Sequence, residues 1–525
     1  MTVRTVILHN MEKYLNMDCR LGRSRGTTLW KMIGLAGLML ASVMLGPALG
    51  DSAVVRAHEP AAAVPLVFDR VTVVDVEHGR LLREQRVVIV GNRIHTMGSV
   101  RTVRIPAGAR VVDARGKYLI PGLWDMHTHS EHSTDLFYPL FLANGVTGIR
   151  DAGSPVPLDT LLMLRREILA GTRVGPPRQL LSGPAIDEGS PCGRGQEEEH
   201  ICVADSADAR HVVDSLKAAG ADIIKTYDLK PDMYFVIAAE ARRIGIRFGG
   251  HTFRATTAIG ASDSGASILD HLNASGGLNS FCLGESPNLE LCQRVAERFR
   301  RNGTWLVPTL VAIAFLKNVY LPERPILNRS HKSLAGDTVV MRWYEFIHQF
   351  WTDSTLHLDL RHGPIGAPIA RELHPISPTD TVSGGILKLM RSFGMPILAG
   401  TDVIGPEGFE GELANAFEDS RGMPPGFALH TELALYVAEG LTPLEALQTA
   451  TLNPAKLLHG TDSLGTVASG KLADLILLDA NPLDDITNTT TIRAVVANGR
   501  YFDRAALDQL IVDAQTKSKH VTQKP

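Results

Sequence analysis

The chain has 525 residues, of which 44% are hydrophobic and 21% are charged, and its formal net charge is −3. This length suffices for a large barrel with a satellite domain or for several smaller domains, and the composition is that of an ordinary globular protein. The weakly acidic balance, with no basic patch interleaved with aromatic residues, gives no electrostatic case for binding nucleic acid.

The first fifty residues have the order of a secretory signal. Basic residues between positions 20 and 31 precede an apolar run over 32–45, and small residues follow at 48–50. The apolar run is shorter than the roughly 20 residues that a membrane-spanning helix needs. We therefore expect a cleaved signal peptide over 1–50, a flexible leader over 51–64, and a periplasmic or secreted protein without a stable membrane span.

The cysteines left after such a cleavage fit an exported protein. Cys192 and Cys202 are ten positions apart, as are Cys282 and Cys292, and both pairs lie in segments typical of loops. An even number of cysteines in an oxidising compartment indicates disulfides. The sequence leaves three connectivities open, of which we favour 192–202 with 282–292. The alternative, a cysteine-based metal site, lacks the short Cys-x-x-Cys spacing that such sites usually show.

Both ends of the chain predict strands of a small β domain. Short alternating segments separated by turns occur near the N-terminus and return at 473–479 and 492–499. We therefore expect a composite β-sandwich domain formed by residues 65–118 and 459–505, followed by a C-terminal tail over 506–525.

The middle of the chain, residues 119–458, alternates strand-like apolar runs with helical stretches, which is typical of parallel β/α architecture. The candidate strands cover 119–126, 145–151, 179–186, 221–227, 247–252, 267–271, 305–311 and 395–401. Eight β/α units predict an α/β fold, a (β/α)8 TIM barrel. A long insertion at about 316–383 is either a lid or specificity region or a surface elaboration, and the sequence leaves this open.

Side chains that bind metals stand at the C-terminal ends of these strands. His127 and His129 end the first strand, where side chains two residues apart point to the same side. Imidazole is a favoured ligand of zinc and related ions. The ends of later strands carry Lys225, His251, His271 and Asp402. Since the chemistry of a TIM barrel lies at this end of its strands, we expect these side chains to converge on one site.

Further polar residues have both a functional and a structural interpretation. Tyr227, two residues after Lys225, either hydrogen-bonds substrate or packs inside the barrel. Arg150, at the end of the second strand, either contacts an anionic substrate group or forms an ion pair with Asp151 or a neighbour. His430 more often caps or packs a helix. A lone histidine or lysine at a strand end is also commonly structural. The metal hypothesis therefore depends on the occurrence of several candidate ligands together at successive strand ends.

Several of these segments also match a known family in sequence. They are Pro121-Gly-Leu-Trp-Asp-Met-His-Thr-His, Gly145-Val-Thr-Gly-Ile-Arg-Asp, Ile224-Lys-Thr-Tyr, Gly250-His-Thr, Leu269-Asp-His, Ala399-Gly-Thr-Asp, and the runs 440–455 and 465–475. On these motifs the chain resembles the amidohydrolase superfamily over roughly residues 65–505. Within the superfamily it is similar to the binuclear-metal branch of imidazolonepropionase-like and prolidase-like enzymes, which includes Xaa-Pro and Xaa-Arg dipeptidases and ochratoxinase.

The resemblance implies two divalent metal ions, most readily zinc. The ligands of the more buried ion would be His127, His129 and Asp402, and those of the second would be His251 and His271. Lys225 would be carboxylated, so that its carbamate bridges both ions; an unmodified lysine in a one-metal site is the alternative. The modification makes physical sense because two dications would repel an ammonium, and nearby positive charge promotes the neutral amine that reacts with CO₂.

The activity implied is hydrolysis of an amide or peptide bond next to a free carboxylate, as in dipeptides or N-acyl amino acids. Two metals that share a hydroxide supply a nucleophile at neutral pH, and Asp402 would accept its proton and deliver it to the leaving group. The alternatives are a hydrolase of cyclic amides, lactones, carbamates or phosphotriesters and, in another class, a non-catalytic metal-binding scaffold. Apart from a small-molecule or dipeptide substrate, the expected partner is a second copy of the chain in a homo-oligomer.

Overall fold

The structure is a computed structural model that describes residues 64–521 with internal gaps. The gaps are 130–133, 155, 189–199, 254, 273–274, 279–281, 283–287, 313–385 and 405–424. The predicted signal peptide, the leader up to residue 63 and the insertion predicted at 316–383 lie outside the described residues.

The N-terminal part of the described chain forms five strands of a mixed sheet. They are β1 Leu66–Asp75, β2 Arg80–Val90, β3 Arg93–Ser99, β4 Arg110–Asp113 and β5 Tyr118–Pro121. β1 pairs with β2 in antiparallel register and with β4 and β5 in parallel register. Val67 and Phe68 in β1 and Val87 and Val88 in β2 are all buried, so this stretch of the sheet has apolar contacts on both faces.

The middle of the chain supplies ten short strands in two parallel sheets. They are β6 Leu123–His129, β7 Val146–Asp151, β8 Arg178–Leu181, β9 Ala185–Asp187, β10 His200–Cys202, β11 Ile223–Thr226, β12 Arg247–Gly250, β13 Ile268–Asp270, β14 Trp305–Val307 and β15 Val403–Ile404. One sheet has the order β15-β6-β7-β8 and the other the order β10-β9-β11-β12-β13-β14. These parallel strands and the helices between them confirm the predicted α/β class.

The run predicted as one strand over 119–126 divides between two sheets. β5 belongs to the mixed sheet, whereas β6 belongs to a parallel sheet, and the chain passes from one to the other at Gly122. A Cβ atom at Gly122 would lie 2.1 Å from Thr147 Oγ1, so only glycine fits there. The prediction of one strand was wrong because a continuous apolar run does not reveal a change of sheet.

Backbone hydrogen bonds connect the two parallel sheets on both sides. Asp222 N donates to Leu181 O at 2.8 Å, which joins the start of β11 to the end of β8. On the other side the segment 396–399 lies between β14 and β6, with Leu306 N donating to Pro396 O and Met126 N donating to Ala399 O, both at 2.9 Å. The segment predicted as a strand at 395–401 therefore has backbone hydrogen bonds to both of its neighbours. The strand β15 itself begins at Val403, two residues after this segment.

Eleven α-helices accompany the strands in the described part of the chain. They are α1 Thr134–Ala143, α2 Leu158–Ala170, α3 Ser206–Ala219, α4 Pro231–Ile244, α5 Ala258–Asp263, α6 Leu289–Asn302, α7 Ile386–Ser392, α8 Phe427–Ala438, α9 Pro443–Thr449, α10 Leu452–Leu457 and α11 Arg504–Val521. α11 occupies most of the segment predicted as a tail. None of the helices described is both long enough and apolar enough to cross a bilayer.

α6 shows how the sequence pattern places a helix on the core. Cys292, Val295, Ala296 and Phe299 are buried at helical spacing, while its charged residues lie outside. Cys292 forms the predicted disulfide with Cys282, with a Cα–Cα distance of 5.4 Å. Cys202 is also disulfide-bonded, but Cys192 lies outside the described residues, so the pair 192–202 stays a prediction.

The C-terminal strands complete the mixed sheet. β16 Leu475–Leu478, β17 Ile492–Ala497 and β18 Arg500–Asp503 extend it, and β16 pairs antiparallel with β5. The strand order is β18-β17-β16-β5-β1-β2-β3, with β4 beside β1. Both ends of the chain therefore build one eight-stranded sheet, and the second layer of the predicted sandwich stays a prediction.

Candidate metal centre

Three of the predicted ligands surround one point, where β6 ends and the residue before β15 lies beside it. Asp402 Oδ1 lies 3.2 Å from His127 Nε2 and 3.3 Å from His129 Nε2, and the two Nε2 atoms are 3.3 Å apart. Ligand atoms at tetrahedral corners about 2.0–2.1 Å from a zinc ion are themselves about 3.3 Å apart. The three donor atoms thus already have the spacing of a zinc coordination sphere.

His271 faces the same centre from the end of β13. Its Nε2 lies 3.9 Å from Asp402 Oδ2, and His127, His271 and Asp402 offer ligand atoms within 4.8 Å of one another. Its Nδ1 lies 2.6 Å from the hydroxyl of Thr309. That hydrogen bond leaves Nε2 available to the centre, which is the usual arrangement of a metal-binding histidine.

His251 is buried next to His271 with its ring centroid 4.8 Å away. Within the described part of the chain, neither of its ring nitrogens has a hydrogen-bond partner. Buried polar atoms are nearly always bonded, so an imidazole in this condition fits a metal ligand. Burial lowers the pKa of His251 well below its usual range, which keeps the ring neutral as ligation requires.

Two glycines before His251 allow the strands to approach closely. A Cβ atom at Gly249 would lie 2.3 Å from Ile268 O, and one at Gly250 would lie 2.2 Å from Thr226 O. Gly250 also has a φ of +141°, a conformation that strains other residues. The two glycines therefore let β12 pack closely between β11, which carries Lys225, and β13, which precedes His271.

Lys225 lies buried at the end of β11 with Nζ 2.6 Å from Asp270 Oδ2. Burial lowers the pKa of its amine, and Arg150 acts in the same direction, whereas Asp270 opposes both. A lowered pKa increases the fraction of neutral amine, the form that reacts with CO₂. The location is therefore compatible with carboxylation, which remains a prediction.

Asp270 is a functional residue that the sequence reasoning missed. Besides Lys225, its carboxylate lies 3.2 Å from His127 Nδ1, without the alignment of a hydrogen bond, and it receives two bonds from Arg150. Burial opposes its ionisation, but Arg150, His127 and Lys225 hold its pKa well below the usual range. The available signal was a charged residue ending a buried apolar strand, since buried charges require partners.

Arg150 is fully buried, and its guanidinium binds groups of the protein itself. Nη1 donates to Asp270 Oδ1 at 2.7 Å and to Met126 O at 3.2 Å, and Nη2 donates to Asp270 Oδ2 at 3.1 Å. The prediction of a contact with an anionic substrate group is therefore corrected to the ion pair that was its alternative. The partner is Asp270 rather than Asp151, because the side chain reaches across the parallel strands.

Asp125 is a second residue that was missed. Its carboxylate accepts from Thr401 Oγ1 at 2.7 Å, Thr401 N at 3.0 Å and His127 N at 3.2 Å. Burial raises its pKa to about 7, although the bonds from Thr401 oppose this shift. Asp125 thereby connects the histidine pair of β6 to the segment that carries Asp402.

The ionised form of Asp402 is favoured. Burial opposes its ionisation, but His271 and His127 outweigh that effect and hold the pKa of Asp402 well below the usual range.

Aromatic rings line the centre beyond His251. The Tyr227 ring lies 4.5 Å from that of His251 and 4.7 Å from that of His200, and Phe253 packs on both Tyr227 and His251. His200 Nδ1 is 3.2 Å from Asp187 Oδ2. Tyr227 thus stands beside a candidate ligand, where either of its predicted roles is possible, and the neighbouring rings were not anticipated.

Comparison with known proteins identifies the family of the chain. Residues 118–501 match the amidohydrolase family. A curated relative, adenine deaminase 2 of Jannaschia sp. (strain CCS1), is 28% identical over 152 residues, and this match spans 29% of the chain and only 20% of the deaminase.

Solved structures share the fold at low identity. One from Bifidobacterium longum, assigned as a prolidase, is 24% identical with a TM-score of 0.59, covering 86% of this chain and 99% of its own. A Xaa-Pro dipeptidase with bound methionine is 20% identical with a TM-score of 0.56, covering 84% and 100%. Ochratoxinase of A. niger has the same identity and TM-score, covering 84% and 96%. The chain belongs to the amidohydrolase family, as its motifs predicted, and it is a hydrolase that acts on carbon–nitrogen bonds.

Proposed function

We propose that the protein is an exported amidohydrolase with two zinc ions, and that it cleaves dipeptides or N-acyl amino acids that carry a free carboxylate. We further propose that its two parallel sheets close into a (β/α)8 barrel. The observation that carries the metal centre is the near-equal spacing of 3.2 to 3.3 Å among His127 Nε2, His129 Nε2 and Asp402 Oδ1. Two imidazole nitrogens and one carboxylate oxygen at this mutual spacing match three corners of a zinc coordination sphere.

The remaining donors would complete a second position. The proposed ligands are His127, His129 and Asp402 for one ion, His251 and His271 for the other, and carboxylated Lys225 between them. Imidazole nitrogens and carboxylate oxygens suit zinc. When bound, the ions would lower the pKa of water and polarise the scissile carbonyl.

The protein's own groups would supply the proton transfer and the positioning. Asp402, ionised in this environment, would accept the proton of the attacking water at a carboxylate oxygen and pass it to the leaving nitrogen. Asp125 would keep His127 and the Asp402 segment in register. Tyr227 would hydrogen-bond the substrate from beside His251, and the surrounding rings would keep bulk water from that side.

The substrate class is supported by what the similar structures are. A prolidase and a Xaa-Pro dipeptidase share the fold, and both names describe enzymes that cleave a peptide bond. Because low identity shows the fold alone and a fold does not define a function, the class of substrate must be measured.

The test is a hydrolysis screen of the full-length protein purified with its metals. The substrates are dipeptides, N-acyl amino acids, cyclic amides, lactones and phosphotriesters, with and without EDTA. We expect EDTA-sensitive release of the amine from the first two groups and its loss in His127→Ala. Turnover confined to lactones or phosphotriesters would contradict the proposed substrate class, and no turnover of any compound would favour a non-catalytic metal-binding protein. N-terminal sequencing of the exported protein tests the proposed signal peptide, since the proposal places the first residue of the mature protein directly after Gly50.

A further inference from the structure

One buried helix contacts two segments beside the site, the turn that follows β14 and the run that leads to Asp402. α8 includes Glu432, whose side chain is completely buried. Glu432 Oε1 accepts a hydrogen bond from Leu310 N at 2.8 Å, and Oε2 accepts one from Val311 N at 2.6 Å. A buried backbone N–H needs a partner, and here one carboxyl group satisfies two of them just beyond β14.

The turn held in this way carries Thr309. This residue is buried and has a φ of +50°, which is rare for a β-branched side chain and persists only where surrounding contacts enforce it. Its hydroxyl is the group 2.6 Å from His271 Nδ1. Glu432 accepts hydrogen bonds from the backbone N–H groups of the next two residues, Leu310 and Val311. These bonds enforce the backbone conformation that directs the Thr309 hydroxyl towards His271.

Tyr436 lies one helical turn after Glu432 and extends the contact to the other segment. Its hydroxyl donates a hydrogen bond to Leu398 O at 3.0 Å. Leu398 begins the run that ends in Asp402. Burial raises the pKa of Glu432 to about 8, although the hydrogen bonds that it accepts from Val311 N and Leu310 N oppose this shift.

We propose that Glu432 is a positioning residue of the metal centre, which acts through the turn 309–311 and the Thr309 hydroxyl to orient the imidazole of His271. The proposal rests on the proposed function in taking His271 as a metal ligand. Nothing in it requires Glu432 to touch substrate or metal. Its rival is that Glu432 serves only the stability of the fold.

The test is a pair of substitutions and their combination. In Glu432→Gln the side-chain amide presents NH₂ to one of the two backbone N–H groups, so the turn loses an acceptor. Thr309→Val keeps the shape of the side chain but removes the hydroxyl. Loss of groups that orient a ligand typically weakens metal affinity about 10–100-fold. We expect each substitution to weaken the affinity for one of two zinc ions by about tenfold, measured by competition with a chromophoric chelator.

The double variant distinguishes the proposed route from general destabilisation. Because both groups act through one path, Glu432→Gln combined with Thr309→Val should weaken zinc no more than the stronger single substitution. Should Glu432→Gln fail to fold, Glu432→Asp takes its place with the same expectation, since the shorter carboxylate does not span to both N–H groups.

His430 provides a matched control on the same helix. It is buried, and its ring nitrogens face Thr489 Oγ1 at 2.9 Å and Asn144 O at 3.0 Å, so it packs the helix as the sequence analysis favoured. His430→Gln should lower the melting temperature but leave the affinity for both ions unchanged.

The outcomes separate this proposal from the one on which it rests. If the wild-type protein binds two zinc ions and both single variants retain its affinities, the role of Glu432 is overturned and the proposed function stands. Additive losses in the double variant would also overturn it. If the wild-type protein takes up no divalent ion, the proposed function fails and this inference fails with it.

Discussion

Arg150 and Asp270 form a bidentate ion pair in which neither side chain is exposed to solvent. The two bonds measure 2.7 and 3.1 Å. The pair joins β7 to β13, and further contacts of the same two residues reach Met126 O in β6 and Lys225 Nζ in β11. Four strands that carry or flank candidate ligands are therefore connected through one guanidinium and one carboxylate.

Removing one member of this pair should be costly to stability. Arg150→Met leaves the Asp270 carboxylate buried without its principal partner, and breaking a buried pair in this way costs about 3–5 kcal/mol. We expect that decrease in the free energy of unfolding in urea, with partial recovery when Asp270→Asn is added. Arg493→Met is the control, because Arg493 makes a bidentate pair with Asp479 that is half-exposed. It should cost no more than about 1 kcal/mol. Equal effects of the two substitutions would contradict the interpretation.

Replacing the proposed general base should separate catalysis from metal binding. Asp402→Asn keeps a side-chain oxygen near the two histidines but removes the charge that takes up a proton. We expect kcat to fall by about 10²–10⁴-fold while at least part of the zinc remains bound, as measured by steady-state kinetics and metal analysis. Asp503→Asn, in the mixed sheet, should leave kcat unchanged. A fully metal-loaded Asp402→Asn protein with wild-type turnover would rule out this role.

The carboxylation of Lys225 predicts a dependence on CO₂. Apoprotein loaded with zinc in CO₂-free buffer should take up fewer than two ions, because the unmodified amine beside Asp270 lacks the oxygen ligands that a carbamate would offer. Bicarbonate should restore uptake to two ions in the wild-type protein and should have no effect on Lys225→Met. Full uptake by the wild-type protein without CO₂ would instead support the unmodified lysine.

His430 should contribute to acid sensitivity. Burial lowers its pKa from 6.5 to about 4, so between these pH values the unfolded chain binds a proton that the folded protein does not. Its contribution to stability is therefore complete above pH 6.5, falls as the pH decreases towards 4, and changes no further below that. The shift corresponds to roughly 3 kcal/mol at most. Urea unfolding across this range should show a shallower acid decline in His430→Gln; an unchanged slope would contradict the assignment.

The positions of the candidate ligands could be predicted because each stands next to an apolar strand. The pairing of His127 with His129 follows from strand geometry alone, and Lys225, His251 and Asp402 could be found as polar residues at strand ends. Asp270, at the end of β13, and Asp125, inside β6, escaped this reasoning because the role of a buried carboxylate depends on partners that lie far away in sequence. Arg150 was ambiguous for the same reason, since its partner lies 120 residues later.

The sequence by itself determined the family, the α/β class, and the types and order of the candidate ligands, since these depend on local pattern and residue chemistry. Only the tertiary structure decided that the first predicted strand divides at Gly122, that Asp270 gathers Arg150 and Lys225, and that Glu432 reaches the turn behind His271. The hydrogen bonds of the Asp270 and Glu432 carboxyl groups join residues that lie between 45 and 122 positions apart in the chain. Such contacts arise from how parallel strands align side by side, and no periodicity in the sequence encodes that alignment.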